Sequence, residues 1–117
     1  MKSSKQEVII NHPASKLYEI VLDIEKYPEF IPWCKKVIIH SKSNNSMIAD
    51  LIVQYNFFSK KFKSDVRFKP KDLIITVYYI EGPLKNLKTH WKFEKKDDNK
   101  TKVYFEIKYE FKNSFFQ

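Results

Sequence analysis

The residues between positions 47 and 111 alternate between apolar and polar side chains, and this alternation constrains the fold more than any other feature of the sequence. Within that region Phe62, Val66 and Phe68 alternate with lysine, aspartate and arginine. Successive side chains of a β-strand point to opposite faces of a sheet, so a period of two predicts strands with one polar and one apolar face. Short polar turns separate these segments, which predicts an antiparallel sheet.

The alternation and its interruptions predict one domain over residues 1–117, with seven strands and one helix. One turn between strands is expected at Ser59-Lys60. The segment at 73–80 is apolar on both faces, which predicts a central strand or one that is covered on both sides. The strands are expected at residues 6–10, from residue 35, and at 47–57, 62–68, 73–80, 87–93 and 103–111.

Apolar residues recur at helical spacing over residues 14–22, which predicts a short amphipathic helix. Asn11 or His12 is expected to cap the start of this helix, and Pro13 suits its first turn. The sequence has a single glycine, Gly82, in a later loop. We expect this glycine to supply a backbone φ that other residues resist.

The segment DIEKYPEFIPWC, residues 23–34, follows the predicted helix. Its two prolines, four positions apart, argue against a regular helix, because each removes an N–H group and fixes φ. The residue before each proline is expected to be extended. Tyr27, Phe30 and Trp33 make the segment too apolar for an ordinary solvated loop. It is therefore expected to be either a plug of the core or the lip of an apolar pocket.

This segment resembles the Asp-(Val/Ile)-Glu-x-Tyr-Pro-x-Phe-(Leu/Ile)-Pro-Trp-Cys signature of the Coq10-like family, within the START-like helix-grip superfamily. Residues 82–93 are similar to the family's Gly-Pro-(Phe/Leu)…Leu…Trp-x-Phe segment, and residues 103–115 resemble its last strand. The resemblance implies an α+β helix-grip fold, in which a curved antiparallel sheet with short N-terminal helices wraps a long C-terminal helix. The ligand of such a fold lies between the sheet and that helix.

The sequence reaches Gln117 before the position of the family's C-terminal helix, so that helix is expected to be missing. Three explanations are open at this point: the chain is a shortened version of a longer protein, the helix has been lost from the gene, or a partner chain supplies it. An uncovered apolar face is a surface for self-association.

The resemblance implies two functions of different classes. The family includes mitochondrial ubiquinone-binding proteins and bacterial relatives described as oligoketide cyclase/lipid transport proteins, and its RatA branch is described as a toxin that blocks ribosome subunit association. The first function is therefore non-enzymatic binding of ubiquinone or a related isoprenoid lipid, as a carrier or chaperone for respiratory electron transport. The alternative is binding to the large ribosomal subunit. A true cyclase is a third interpretation.

Aromatic residues on one face of a sheet, with few polar groups among them, fit a small-molecule pocket. Tyr55, Tyr78 and Thr89 are candidate hydrogen-bond donors to quinone carbonyls, while Trp91 and Phe105 are expected to line the wall. Each of these residues is also consistent with a purely structural role in the core. The expected ligand-binding residues are Pro28, Phe30, Pro32, Trp33, Tyr55, Phe62, Val66, Tyr78, Leu84, Leu87, Thr89, Trp91 and Phe105.

The formal net charge of +8 indicates attraction to anionic lipid headgroups or to RNA. Arg67 is the only arginine, which argues against a dedicated nucleic-acid site because base and phosphate recognition favours arginine forks. Lys60, Lys61 and Lys63, expected in or beside a turn, are the candidate contacts with rRNA or with an anionic membrane.

No catalytic or metal-binding constellation is visible in the sequence. His12, His40 and His90 are far apart and show no metal-ligand spacing. Cys34 is expected to be a small buried hydrophobic residue. Asp65 can pair with Arg67 on one strand face, or either side chain can reach into the concave side of the sheet. We therefore expect no catalytic residue, metal or cofactor, with an apolar lipid as the ligand.

The composition also bears on location. No run is long and apolar enough to span a bilayer, no secretory signal is visible, and a single cysteine suits a reducing compartment. The expected location is the cytoplasm, with peripheral contact on the inner membrane, or the matrix side of that membrane in a mitochondrion.

Overall fold

A computed structural model describes residues 1–112 and shows a seven-stranded antiparallel sheet with the strand order β1-β7-β6-β5-β4-β3-β2. The predicted antiparallel sheet is confirmed, and β5 is its central strand, as the apolar segment at 73–80 indicated. The strands are β1 (Lys2–Ile10), β2 (Cys34–Lys42), β3 (Ser46–Tyr55), β4 (Phe58–Lys69), β5 (Ile74–Glu81), β6 (Asn86–Asp97) and β7 (Lys100–Glu110).

Two short helices connect β1 to β2. They are α1 (Ala14–Leu22) and α2 (Tyr27–Phe30), and a 3-10 turn at Ile24–Lys26 joins them. No helix within residues 1–112 is long and apolar enough to cross a membrane. The likeness to the family's last strand extends to residues 113–115, which lie outside the described part of the chain.

One face of the sheet, here called the inner face, carries α1. Phe68 pairs with Ile75, Ile75 with Trp91, and Trp91 with Phe105, so apolar side chains continue across four strands on this face. Ala14 and Tyr18 of α1 are buried, which confirms the predicted apolar stripe of the helix. The core is the cluster Ala14, Tyr18, Ile24, Met47, Ala49, Val66, Phe68, Ile75, Phe93 and Val103.

The predicted cap of α1 is wrong. Pro13, in extended geometry, occupies the N-cap position, and no side chain caps the helix there. The backbone N–H groups of Lys16 and Leu17 donate to the Pro13 carbonyl at 3.1 and 3.2 Å. Proline fits this position because the cap residue needs only its carbonyl to accept the first helical hydrogen bonds.

The segment 23–34 contains more helix than its prolines suggested. Tyr27 is helical, with φ −52° and ψ −42°, so the expectation of extended geometry before Pro28 is wrong. Pro28 lies in the first turn of α2, where an N–H group has no helical partner to lose. The Tyr27 hydroxyl donates to the Val21 carbonyl and ties this turn to α1. Ile31, before the second proline, is extended as expected.

The turn expected at Ser59-Lys60 lies three residues earlier. Tyr55 pairs with Phe58, so the connection between β3 and β4 is Asn56-Phe57. Asn56 has φ 53°, a left-handed conformation that asparagine tolerates better than most residues. Consecutive apolar residues at the turn hid it, since a turn is usually marked by a polar cluster.

Candidate ligand-binding site

The helix α1 covers only one end of the inner face, next to Phe93 and Val103. At the other end the inward-facing side chains are only half-buried, and we call this surface the trough. β-Strand pairing aligns its members across the sheet, because directly paired residues share a face. The trough consists of Leu51, Phe62, Tyr79, Leu87, Thr89, Trp91, Phe105, Ile107 and Tyr109.

A chain of aromatic contacts connects the core to the trough. Tyr18 of α1 meets Phe93 edge-on, with ring centroids 6.1 Å apart. Phe93 is parallel to Trp91 at 6.1 Å, and Trp91 lies 4.4 Å from Phe105. Four rings therefore lead from the buried helix face to the half-open surface, and they suit a flat apolar ligand.

The Tyr18 hydroxyl is buried and has no hydrogen-bond partner among the described residues. A buried polar group without a partner costs about 1–3 kcal/mol, which makes the Tyr18 hydroxyl a candidate donor to a bound ligand. Burial raises the pKa of Tyr18, so this hydroxyl keeps its proton and remains a donor. The sequence pattern did not single out Tyr18, because its helical spacing assigned the whole residue to the apolar stripe.

The segment that contains Phe30 and Trp33 lies at the end of the sheet where β3 finishes. The Trp33 carbonyl accepts a hydrogen bond from the Gln54 backbone N–H at 2.8 Å. Phe30 is 57% exposed and Trp33 is 47% exposed, so neither is a plug of the core. Pro28 is half-buried and Pro32 is exposed. Of the two expected roles, this placement fits a lip.

The loop that follows β5 reaches the same end of the sheet and is held by Tyr79. The Tyr79 hydroxyl donates to the Leu84 carbonyl at 2.8 Å and accepts from the Leu84 N–H at 2.9 Å. Burial raises the pKa of Tyr79, which keeps this donor protonated.

The expectation for Gly82 is wrong, because its φ is not positive. A Cβ atom at Gly82 would lie 2.8 Å from the Tyr79 hydroxyl oxygen and 3.0 Å from the Lys61 carbonyl oxygen. The glycine is therefore needed for close approach of side chain and backbone, which no pattern in the sequence signals.

The structure gathers some of the expected site residues and separates others. Phe62, Leu87, Thr89, Trp91 and Phe105 face the trough together. The remaining strand residues of the prediction lie elsewhere, and Leu84 lies in the loop that Tyr79 holds. Val66 belongs to the core, Tyr55 is 68% exposed at the end of β3, and Tyr78 lies on the outer face.

Tyr78 faces away from the trough because it pairs with Asp65 and Lys88, which alternate with the inward residues of their strands. Arg67 lies over its ring at 5.3 Å and Lys88 at 5.2 Å. The expected pair of Asp65 and Arg67 is confirmed, at 3.1 Å. These residues border an outer-face depression of about 750 Å³ that also includes His90.

The three lysines at positions 60, 61 and 63 lie on strand β4 rather than in a turn. By alternation Lys61 and Lys63 share the outer face with Arg67, whereas Lys60 shares the face of Phe62. Lys61 is exposed and Lys63 is half-buried. The three cations therefore do not form one surface.

Titratable groups elsewhere show no catalytic arrangement within residues 1–112. Cys34 is buried as expected, and burial raises the pKa of its thiol, which disfavours the nucleophilic thiolate. The His40 Nε2 atom lies 2.6 Å from a carboxylate oxygen of Asp50. No group of three or more His, Cys, Asp and Glu side chains that could hold a metal ion occurs in this part of the chain.

A curved antiparallel sheet, two short helices after its first strand and a half-open apolar inner face define the helix-grip class of ligand-binding domains. The chain belongs to the family described as polyketide cyclase/dehydrase and lipid transport, whose sequence model matches residues 10–117. The family resemblance drawn from the motifs is therefore confirmed.

Relatives in sequence carry names from both branches of that resemblance. Ribosome association toxin RatA of Rickettsia prowazekii is 34% identical over 96 residues, covering 80% of this chain and 66% of its own length. RatA of Vibrio cholerae is 26% identical over the whole chain and 81% of its own length. The mitochondrial coenzyme Q-binding protein COQ10 of Drosophila melanogaster is 28% identical, covering 90% of this chain and 45% of its own length.

Solved structures agree on the fold. An 18 kDa protein from Caulobacter crescentus is 27% identical, with a TM-score of 0.78 over 99% of this chain and 80% of its own. The ZhuI aromatase/cyclase of a Streptomyces species has a TM-score of 0.85 over 92% of this chain and 67% of its own, at 18% identity. At that identity the likeness shows the fold alone, and it does not assign cyclase chemistry to this chain.

Proposed function

We propose that this protein binds a polyprenyl quinone such as ubiquinone, or a similar isoprenoid lipid, without chemical conversion, and carries or chaperones it for respiratory electron transport. The observation that carries the proposal is the trough, an apolar surface that is half-buried beside a fully packed core. The relative named as coenzyme Q-binding supports the choice of ligand.

The contacts of the proposed ligand follow from the side chains of the trough. A flat quinone ring fits against Trp91 and Phe105, where aromatic surfaces already pack at 4.4 Å. The isoprenoid tail lies along the aliphatic residues Leu87 and Ile107. Removing about 200 Å² of apolar ligand surface from water contributes about 5 kcal/mol.

The polar contacts of the ring are few. We assign the Tyr18 hydroxyl as the donor to one quinone carbonyl, because it is buried, protonated and without a partner among the described residues. Thr89, which faces the trough between Val77 and Ile107, is the second candidate. We assign no catalytic residue, since burial raises the pKa of the Cys34 thiol and disfavours the nucleophilic thiolate.

The variant Tyr18→Phe tests this assignment, because it is expected to preserve the stability of the protein and to weaken its affinity for quinone. Removing a hydroxyl that has no partner is expected to leave the free energy of unfolding unchanged or slightly higher. The same change is expected to weaken quinone binding about tenfold, by loss of one hydrogen bond in an apolar site.

The matched control is Tyr104→Phe on the outer face, whose hydroxyl donates to Glu94 at 2.7 Å. This control is expected to retain quinone affinity. Equal quinone affinity in wild type and Tyr18→Phe would refute the donor role, and absence of quinone binding in the wild type would refute the function.

The second candidate function is binding to the large ribosomal subunit with interference in subunit association. The relatives named ribosome association toxin favour it, at 34% and 26% identity. The outer face offers cations for rRNA phosphates, with Lys61 and Arg67 on β4 and Lys88 on β6, the two strands that flank β5.

Co-sedimentation with purified large subunits tests this candidate. The double change of Lys61 and Lys63 to glutamate is expected to abolish co-sedimentation while quinone binding stays intact. Glutamate at Lys16 in α1 and at Lys71 in the turn after β4, two exposed lysines distant in sequence from Lys61 and Lys63, supplies the same change in net charge as a control. Equal loss in both double variants would show that the attraction is non-specific.

A further inference from the structure

Large apolar side chains are exposed at one end of the sheet in unusual density. Isolated exposed apolar residues are ordinary on protein surfaces, whereas a contiguous group marks an interaction site. Phe57 is fully exposed, and four further residues at this end are exposed by 40% or more. We call these five residues the aromatic tip: Phe30, Trp33, Tyr55, Phe57 and Phe58.

Backbone geometry holds the aromatic tip in place. Tyr55 and Phe58 are paired across the β3–β4 hairpin, and Phe57 lies in the two-residue turn between them. The Gln54 N–H donates to the Trp33 carbonyl, which places the segment of Phe30 and Trp33 directly beside the hairpin. The aromatic side chains are thus presented by a turn and a tied segment that extend past the packed core.

Lysines outnumber carboxylates around the tip, and Glu29, which precedes Phe30, is paired with Lys26 at 3.3 Å. Between Phe30 and Ser64 the sequence has six lysines and a single carboxylate, Asp50. That carboxylate is buried and contacts His40, so it does not offset the lysine charges at the surface. Lys35, Lys36, Lys60 and Lys61 are exposed within three residues of a tip residue in the sequence.

The tip also lies at the mouth of the trough. Leu51 and Phe62, which are paired in the trough, are four positions along their strands from the pair of Tyr55 and Phe58. At the strand rise of about 3.3 Å per residue, the two pairs are about 13 Å apart. A membrane or other surface that binds the aromatic tip therefore lies next to the end of the trough.

We propose that the aromatic tip inserts into the interfacial region of an anionic lipid bilayer and turns the mouth of the trough towards it. Trp and Tyr rings favour this region, and lysines beside them bind anionic headgroups. A fully exposed phenylalanine at a turn fits a bilayer better than RNA, whose phosphates are recognised best by arginine, and the tip has none. The purpose assigned to the docking, lipid exchange, rests on the proposed quinone function.

Flotation with vesicles of phosphatidylcholine and phosphatidylglycerol in equal parts tests the docking. Phe57→Ala is expected to weaken vesicle binding about tenfold, as expected for one aromatic side chain withdrawn from the interface. Ile20→Ala is the matched control, because Ile20 is 56% exposed on α1, away from the tip. Lys60→Gln is expected to weaken binding about fivefold on these vesicles and to have no effect on pure phosphatidylcholine.

Fluorescence provides a readout of depth. The chain has two tryptophans, so Trp91→Phe leaves Trp33 as the only one. Its emission is expected to shift to shorter wavelength on vesicle addition and to be quenched by brominated acyl chains. A structural role for Trp33 alone would produce neither change.

The outcomes separate this inference from the proposed function. Equal vesicle binding by Phe57→Ala and Ile20→Ala, or an unshifted Trp33 emission, would overturn the docking. Binding of the tip to single-stranded RNA in place of vesicles, lost in Phe57→Ala, would also overturn it. Vesicle docking by a protein that carries no quinone would support membrane docking by the aromatic tip and refute the quinone function. Quinone binding without vesicle docking would support the quinone function and refute the docking.

Discussion

Replacing Gly82 with alanine tests the packing that positions the loop after β5 at the trough. The φ of Gly82 is not positive, so the backbone accepts alanine and gains about 0.4–1 kcal/mol from the unfolded state. Against this, the new Cβ would lie 2.8 Å from the Tyr79 hydroxyl oxygen and 3.0 Å from a backbone oxygen of Lys61. Overpacking of this kind costs about 1–3 kcal/mol.

The flexible end of a side chain would normally move away, but Tyr79 is held by two hydrogen bonds to Leu84. Moving the hydroxyl breaks bonds worth about 1 kcal/mol each. We therefore expect Gly82→Ala to lower the free energy of unfolding by about 2 kcal/mol, measured by urea denaturation.

A double-mutant cycle with Tyr79→Phe isolates the cause. Removing the hydroxyl alone is expected to cost about 1–2 kcal/mol. In that background the nearest contact of the new Cβ is gone, so Gly82→Ala is expected to cost about 1 kcal/mol less than in the wild type. A stability unchanged by Gly82→Ala, or additive effects of the two changes, would refute this account of the glycine.

Three further predictions concern other buried or half-buried groups. Burial and, next, the charge of Lys88 lower the pKa of the His90 imidazole, so the folded protein favours the neutral ring. The protein is therefore most stable above the ordinary pKa of about 6.5, and this stability is lost as the pH falls below it. His90→Gln should flatten the pH dependence of the urea midpoint over that range, and an unchanged pH profile would contradict this. Thr101→Val should cost about 1–2 kcal/mol, because the fully buried hydroxyl donates to the His12 carbonyl at 2.7 Å, and unaltered denaturation would count against it. The Cys34 thiol should react with Ellman's reagent only as fast as the protein unfolds, since it is buried and its pKa is raised, and rapid labelling of the native protein would exclude that placement.

The sheet was predictable wherever burial on one face produced alternation. The inward residues from Leu87 to Phe93 in β6 follow the pattern, and they pair with β7. The start of β1 was not predictable, because residues 2–5 are polar and join the sheet through backbone pairing with β7. An edge strand of this kind leaves no hydrophobic period in the sequence.

The site was only partly predictable, for a similar reason. Periodicity places Thr89 and Trp91 in the trough, but assigning Tyr78 as a donor required its face to be judged correctly, and β5 is apolar on both faces. The unpartnered hydroxyl of Tyr18 depends on three-dimensional packing, as does the space that Gly82 leaves for Tyr79. No spacing rule encodes either feature.

The most direct test of the quinone function is mass spectrometry of an organic extract from protein purified out of a quinone-producing host. Trp91→Asp, which places a charge in the trough, is the comparison variant, with folding checked by circular dichroism. The account predicts quinone in near-stoichiometric amount with the wild-type protein and its loss from Trp91→Asp. Wild-type protein that carries no more quinone than the folded Trp91→Asp variant would contradict the account.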